Sequence, residues 1–204
     1  MNRRWYLLAL LTLTGCSGGF FETKLPVPTT YVLAPATQAG NSAPLANVDL
    51  AIGMPSPAPG LDTERVAALY DSRRLDYYRD VQWGATAAGV VQSVLTASMQ
   101  NQQLFRSVTT EQARISATHL LDLQLRDFQA EYTGGGTVPT IRVTVVASLI
   151  RLKDRKLLAS IPATAAVAAA ENRMSSVIAA FESAAQQVAL SIGTQTATVI
   201  AASP

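Results

Sequence analysis

The stretch of sequence that decides the fold is LDLQLRDFQAEY, residues 121–132. From Leu121 to Leu125 three leucines alternate with polar residues, the period of a strand with one buried face. The apolar positions then move from odd to even numbers at Phe128. We therefore predict one long strand with a β-bulge near Arg126–Asp127, which keeps both halves of the strand on the same face.

Two more strands and a long helix are predicted downstream. Gly134–Gly136 can adopt any turn geometry, and Ile141–Leu149 again alternates apolar and polar residues. A second turn at Lys153–Lys156 leads into a third strand, Leu157–Val167. From Met174 to Ile192 apolar residues recur every three or four positions, which is typical of an amphipathic helix that packs on a core.

Upstream, the pattern changes from strand to helix once. Thr30–Ala34 predicts a brief strand, and Val48–Met54 predicts another, which the prolines of Pro55–Gly60 should end. Residues 62–82 favour a β-hairpin, with a helix capped by acidic residues as the alternative. Trp83 then opens a predicted helix of about twenty residues.

These elements predict an α+β fold. An antiparallel or mixed β-sheet would be covered on one face by two main amphipathic helices, giving a two-layer sandwich. The chain shows no internal repeat and no second patterned region. We therefore expect a single domain over residues 30–204.

The first residues have the pattern of a lipoprotein signal. Two arginines precede a short apolar run, and Leu13, Thr14 and Gly15 stand directly before Cys16. An apolar run of about ten residues would make a helix of roughly 15 Å, half the ~30 Å of a hydrocarbon core. We predict a signal peptide over residues 1–15, cleavage before Cys16 and acylation of that cysteine.

The anchored chain then continues into a short tether. Residues 16–29 contain Gly-Gly and two prolines without a helical pattern, and from Cys16 to Tyr31 the chain reaches at most ~50 Å. Two or more acyl chains give stable attachment to a membrane. Ser17 is not the aspartate that retains enteric lipoproteins at the inner membrane, so we expect the periplasmic face of the outer membrane.

Charge and cysteine content exclude several function classes. The predicted signal carries two of the sixteen basic residues and none of the fourteen acidic ones, so the remaining chain is formally neutral. The remaining chain lacks the basic patch that would indicate a nucleic-acid partner. Cys16 is the only cysteine, so no disulfide stabilises the domain and packing must do so.

The sequence offers little catalytic chemistry. His119 is the only histidine, and a zinc site needs three or four ligands. No Gly-x-Ser-x-Gly motif accompanies it, and no Lys-Ser/Thr follows Gly134–Gly136 to make a phosphate loop. We therefore expect no catalytic residues, no metal and no cofactor.

A cluster of aromatic residues is the best candidate for a partner surface. Tyr and Trp combine a large apolar body with a polar tip and are enriched at interfaces. The predicted surface joins the loop residues Pro59 and Gly60 to Tyr77, Tyr78 and Trp83. The alternative is that Trp83 simply starts the helix and packs on the sheet.

With these elements in place, the chain resembles the ABC-type transport auxiliary lipoprotein family, which includes the lipoprotein of the paraquat-inducible operon. The matching pieces, in order, are Tyr31–Leu33, Val48–Met54, Pro59–Thr63, Arg65–Val66, Leu75–Tyr78, Trp83 opening a helix that ends at Leu104–Phe105, and Ala179–Ala184. The final helix lacks the tryptophan expected near its end.

The resemblance implies a role beside transporters with mammalian-cell-entry (MCE) domains, which move phospholipids or other hydrophobic molecules between membranes. It implies a fold similar to the N-terminal domain of the Tol-system propeller protein, no catalytic residues, an MCE protein as partner and self-association. The main alternative is an outer-membrane lipoprotein that activates a cell-wall synthase. Such activators need a long tether, and a reach of ~50 Å argues against that function.

Overall fold

A computed structural model describes residues 27–37, 45–113 and 115–203. Cys16 and the preceding Leu13, Thr14 and Gly15 lie outside the described residues, as does the tether before residue 27. The described chain forms a nine-stranded mixed sheet and two α-helices. The strands are β1 Thr29–Tyr31, β2 Ala46–Ile52, β3 Ser56–Pro57, β4 Arg65–Tyr70, β5 Arg74–Trp83, β6 Phe105–Thr110, β7 His119–Tyr132, β8 Thr140–Arg151 and β9 Lys156–Ala168. The helices are α1 Ala87–Gln102 and α2 Met174–Ala201.

Strand β7 is the centre of the sheet. One edge pairs with β8 in antiparallel fashion along its whole length, and β8 pairs in turn with β9. The other edge pairs in succession with β2, β3 and β4, all of them parallel to β7. Beyond them, β6 extends the sheet next to β2, and β5 and β1 extend it next to β4.

The predicted bulge in β7 is confirmed. The register shifts between Leu125 and Asp127, opposite β8. As a result Leu121, Leu125 and Phe128 are all fully buried on the face that the helices cover. The two-layer α+β sandwich is confirmed with it, because both helices pack on this face and on each other.

Local sequence explains where the helices begin and end. The Thr86 side chain accepts a hydrogen bond from the Gly89 N–H at 3.3 Å, which caps the first turn of α1. Gln103, directly after α1, has a left-handed backbone (φ 53°), the usual end of a helix. Helix α2 is longer than its predicted apolar stripe and continues to Ala201.

The hairpin favoured for residues 62–82 is confirmed as β4 and β5. The prediction for Trp83 is wrong: it is the last residue of β5, and α1 begins four residues later. The prolines after β2 do not end all pairing, since Ser56–Pro57 pairs with β7. The Ala58 N–H donates to the Leu125 carbonyl at 2.8 Å, so the Pro57 nitrogen, one residue earlier, points away from β7 and its missing N–H costs this pairing nothing.

The centre of the core is an aromatic cluster made by three distant parts of the chain. Trp83, Phe128 and Phe181 have ring centroids 5.0–5.3 Å apart, in tilted and edge-on arrangements. Trp83 is 1% exposed, and its indole N–H has no partner among the described residues. This cluster joins β5, β7 and α2.

We expect Trp83→Ala to lower the free energy of unfolding by about 3–5 kcal/mol, because it leaves a large cavity among the three rings. Trp83→Phe keeps most of the packing and removes a buried donor without a partner, so its cost should stay below about 1.5 kcal/mol. Urea unfolding followed by circular dichroism measures both. Equal costs for the two variants would contradict this account of the core.

Candidate functional site

The structure brings part of the predicted partner surface together. Pro59 and Gly60 are exposed at the tip of a turn, and the Tyr77 hydroxyl donates a hydrogen bond to the Gly60 carbonyl at 2.8 Å. The Arg65 guanidinium lies 4.1 Å from the centroid of the Tyr77 ring. Tyrosine and arginine are the residue types that often anchor protein interfaces, and here a half-buried tyrosine and an arginine stacked on it lie next to an exposed loop.

The turn itself depends on glycine. The Leu61 N–H donates to the Ala58 carbonyl at 3.0 Å, with Pro59 and Gly60 as the two central residues. Gly60 has φ +85°, which makes this a type II turn with its usual proline and glycine. A Cβ atom at Gly60 would lie 2.3 Å from Leu75 Cδ2. The close approach of β5 therefore adds a steric reason for glycine to the conformational one.

Tyr78 has a structural role. Its hydroxyl is 2.7 Å from that of Tyr132, which donates in turn to Asn172 Oδ1 at 3.0 Å. Tyr132 also stacks on Tyr70 with ring centroids 4.9 Å apart. This chain of contacts ties β5 to β7 and to the segment before α2. Burial, and then the hydrogen bond to Tyr132, raises the pKa of Tyr78 well above its ordinary value of 10.0.

The placement of Trp83 on the partner surface is wrong. Its ring lies in the aromatic core, so it cannot touch a partner while the domain is folded. The alternative, in which Trp83 starts the helix and packs on the sheet, is right about the burial of this residue and wrong about its element, because Trp83 ends β5. An aromatic residue at the end of a strand next to a helix has the same sequence pattern whether it points inward or outward.

The sequence pattern gave no sign of a wide bulge in β5. Arg65 pairs with Gln82 and Ala67 pairs with Tyr77, so β5 holds extra residues between these pairs. Asp80 lies in this bulge with φ +57°, a left-handed conformation that aspartate tolerates better than most residues. Bulges of this kind redirect side chains and are frequent next to functional sites.

A polar groove of about 500 Å³ runs beside the bulge. Its lining includes Arg65, Arg79, Asp76 and Asp80, so two cations and two anions share it. Pro28 lines the same groove. The segment that leads back toward Cys16 therefore leaves the domain at this groove, next to Tyr77.

Residues 32–37, which we call the strap, lie across both helices. On α2, the Glu182 carboxylate accepts the Ala34 N–H at 2.7 Å. The Gln186 side-chain amide donates to the Ala34 carbonyl at 3.0 Å. Glu182 is the only charged residue of α2, and its charge thus strengthens a backbone hydrogen bond.

The strap is held equally well by α1. The buried Ser98 hydroxyl accepts the Ala36 N–H at 2.9 Å, and the Asn101 side chain donates to the Ala36 carbonyl at 2.8 Å. The strap thus joins both helices to the strand that enters from the tether. The only sequence signal for the strap was the presence of polar side chains at these positions of the two amphipathic helices.

The lone histidine lies in a separate polar cluster. His119 is 8% exposed, and its Nδ1 is 3.0 Å from the Thr118 hydroxyl. Nearby, Arg106 pairs with the Asp49 carboxylate through two nitrogens, and the Ser107 hydroxyl donates to the same carboxylate at 2.7 Å. Ser107 therefore does not form the serine–histidine hydrogen bond that an activated nucleophile needs.

Hydrogen bonds and burial shift two pKa values in this cluster. The hydrogen bonds from Arg106, and then from Ser107, lower the pKa of Asp49 to about 2. Burial, and then the charge of Arg151, lowers the pKa of His119 below 6.5.

Among the described residues, no group of three His, Cys, Asp or Glu side chains is placed to hold a metal ion. Neither described helix is both long and apolar enough to cross a membrane.

Comparison with known families identifies the chain at the family level. A family model for the ABC-type transport auxiliary lipoprotein component matches residues 31–193. The chain belongs to this family. The match runs from the last residue of β1 to the third quarter of α2, so it includes the strap, α1, the first twenty residues of α2 and strands β2 to β9.

Solved structures show the same fold. A Xanthomonas campestris protein of the DUF330 family is similar at 22% identity with a TM-score of 0.76, covering 84% of this chain and 95% of that one. An uncharacterized protein is similar at 11% identity with a TM-score of 0.64, covering 83% of this chain and 98% of that one. No curated protein matches the chain significantly. Membership of the family makes the chain a lipoprotein with an auxiliary role in ABC-type transport.

We expect Gly60→Ala to lower the free energy of unfolding by about 1–2 kcal/mol, because it forces the partly exposed Leu75 side chain to move in addition to the strain of a positive φ. Gly134→Ala is the matched control, since Gly134 has φ +60° and no atom lies within 4 Å of the position that a Cβ would take. It should cost only about 1 kcal/mol. Adding Leu75→Ala should remove most of the difference; an unchanged difference in urea unfolding would contradict the clash.

The raised pKa of Tyr78 predicts a loss of stability in alkali. Because the unfolded tyrosine ionises near pH 10 and the folded one does not, the unfolded state gains stability as pH rises above about 10. Tyr78→Phe should make the decline between pH 9 and pH 11 shallower, as measured by urea unfolding at several pH values. Parallel declines for the two proteins would show that Tyr78 does not cause the effect.

Proposed function

We propose that this lipoprotein is anchored through Cys16 at the periplasmic face of the outer membrane and docks an MCE-domain protein of an ABC transport system. The system would move phospholipid or other hydrophobic molecules between the two membranes. The observation that carries this proposal is the family match over residues 31–193. The family supplies the transport role, and the MCE partner and the outer-membrane location are our extension of it.

The position of the tether supports docking close to a membrane. Eleven steps along the chain lead from Cys16 to Val27, which limits the reach to about 36 Å at ~3.3 Å per step. The chain enters the domain beside Pro28, in the same groove as Tyr77 and Tyr78. A partner that binds at Pro59, Gly60 and Tyr77 would therefore be held near the anchored membrane.

The chemistry of the described surface supports binding as the function. The two positive and two negative charges of the groove cancel, and neither Pro59 nor Gly60 of the exposed loop has a nucleophilic side chain. His119 is nearly buried and bonded to a threonine. We propose an adaptor without catalytic residues, metal or cofactor, which self-associates as part of a larger assembly.

The test is co-purification of the lipidated chain with an MCE-domain protein from the same organism. Tyr77→Ala should weaken binding at least about tenfold, since central aromatic residues dominate interface energies. Ser191→Ala, an exposed position on α2, is the matched control and should bind like the parent. Cys16→Ala should release the chain from membranes while leaving binding in detergent unchanged.

Three results would overturn the proposal. These are absence of co-purification with the MCE protein, a membrane location that does not depend on Cys16, and recovery of a cell-wall synthase as the specific partner. A deletion strain with normal membrane lipid composition would also count against a transport role for hydrophobic molecules.

A further inference from the structure

The outer edge of β9 has backbone groups that no described strand pairs. The Ala169 N–H donates to the Pro139 carbonyl at 3.0 Å, so residue 169 bonds toward β8. In an antiparallel ladder the bonding residues alternate, and the register from 140↔168 back to 149↔159 has no interruption. The N–H and C=O groups of Thr164, Ala166 and Ala168 therefore point away from β8.

Pro162 fits this alternation and limits the open edge. It lies on the same outward-pointing set as Thr164 and Ala166, where β8 needs no donor from it. Proline at such a position blocks the pairing of another strand without weakening the sheet. The edge is thus blocked at its middle and open over residues 163–168.

An uncharged groove lies directly beside this open edge. It has a volume of about 340 Å³ and lies between the end of β9 and the first half of α2. Its lining includes Val167, Ala168, Ser175, Ala179 and Ser183. Small side chains along the helix leave room there for a larger side chain from outside.

We propose that this edge and groove form a peptide-binding site. An extended segment of another protein would add as a strand to β9 over residues 163–168. Its bulky uncharged side chains, at alternate positions, would enter the groove against α2. Strand addition of this kind takes affinity from main-chain hydrogen bonds and specificity from pockets for alternate side chains. This site is distinct from the Tyr77 surface and does not rest on the function proposed for it.

The absence of charge in the groove and its position on the sheet indicate which kind of segment would bind there. A charged side chain in a groove without charged lining would lose its hydration with no partner to replace it, so the matching side chain is apolar. A second copy cannot supply such side chains from its own β9, because its helix-facing Ile161, Ala163 and Ala165 are buried under its own α2. The tether of this chain enters at β1, on the opposite edge of the sheet.

The probe is a phage-displayed library of short linear peptides, panned against the full chain in detergent. We expect enriched peptides to alternate bulky apolar with other residues and to bind with measurable affinity by fluorescence polarisation. Ala166→Pro removes an outward donor without touching the ladder to β8, and should weaken binding at least about tenfold. Ala179→Leu, which fills the groove, should weaken it similarly.

Matched controls separate the site from general damage to the fold. Pro162→Ala adds an outward donor and should leave binding equal or tighter, and Ser191→Leu places the same side chain on α2 outside the groove. Unchanged thermal unfolding of Ala166→Pro would show that its own ladder is intact. The proposal is overturned if no alternating peptide is enriched, or if Ala166→Pro and Ala179→Leu bind as the parent does. It is also overturned if the parent dimerises and Ala166→Pro alone abolishes the dimer, because the occupant would then be a second copy.

Discussion

The whole arrangement depends on the hydrogen bonding of β7 along both of its edges. One edge is fully occupied by β8, and the other is shared by three separate parallel strands. A fourteen-residue strand without the bulge after Leu125 would turn half of its apolar side chains toward solvent. The bulge keeps the entire strand on the helix side, so a single core can serve all the strands paired to it.

Because β2, β3 and β4 each pair with a different part of the second edge of β7, they determine where the surfaces of the domain lie. Because β4 pairs only with the last part of β7, and β5 pairs with β4 in a hairpin, Tyr77 lies beside the type II turn that follows β3. The tether enters at the outer side of this hairpin, and the strap then crosses both helices. The N-terminal end of the described domain and the proposed docking surface are therefore neighbours, whereas the open edge of β9 lies on the other side of the sheet.

Part of the candidate surface was predictable because it depends on local chemistry. Proline followed by glycine predicts an exposed turn, and the structure has one at Pro59–Gly60. The side of the sheet that each aromatic residue faces was not predictable, because it depends on the bulge in β5, which the sequence pattern does not indicate. Trp83 is buried and Tyr77 half-exposed, although both lie in one strand. The strap was not predictable either, because its hydrogen bonds join residues far apart in sequence.

The sequence by itself determined the fold class, the β7 bulge, the β4–β5 hairpin and the amphipathic helices, and it carried the resemblance to the transport lipoprotein family. Each of these follows from periodicity or from the conformational preferences of neighbouring residues, which act over a few positions. Only the tertiary structure decided which edges stay open, which aromatic residues form the core and where the tether enters. Those features are set by pairing between segments distant in the chain, and local sequence patterns do not encode partners at that distance.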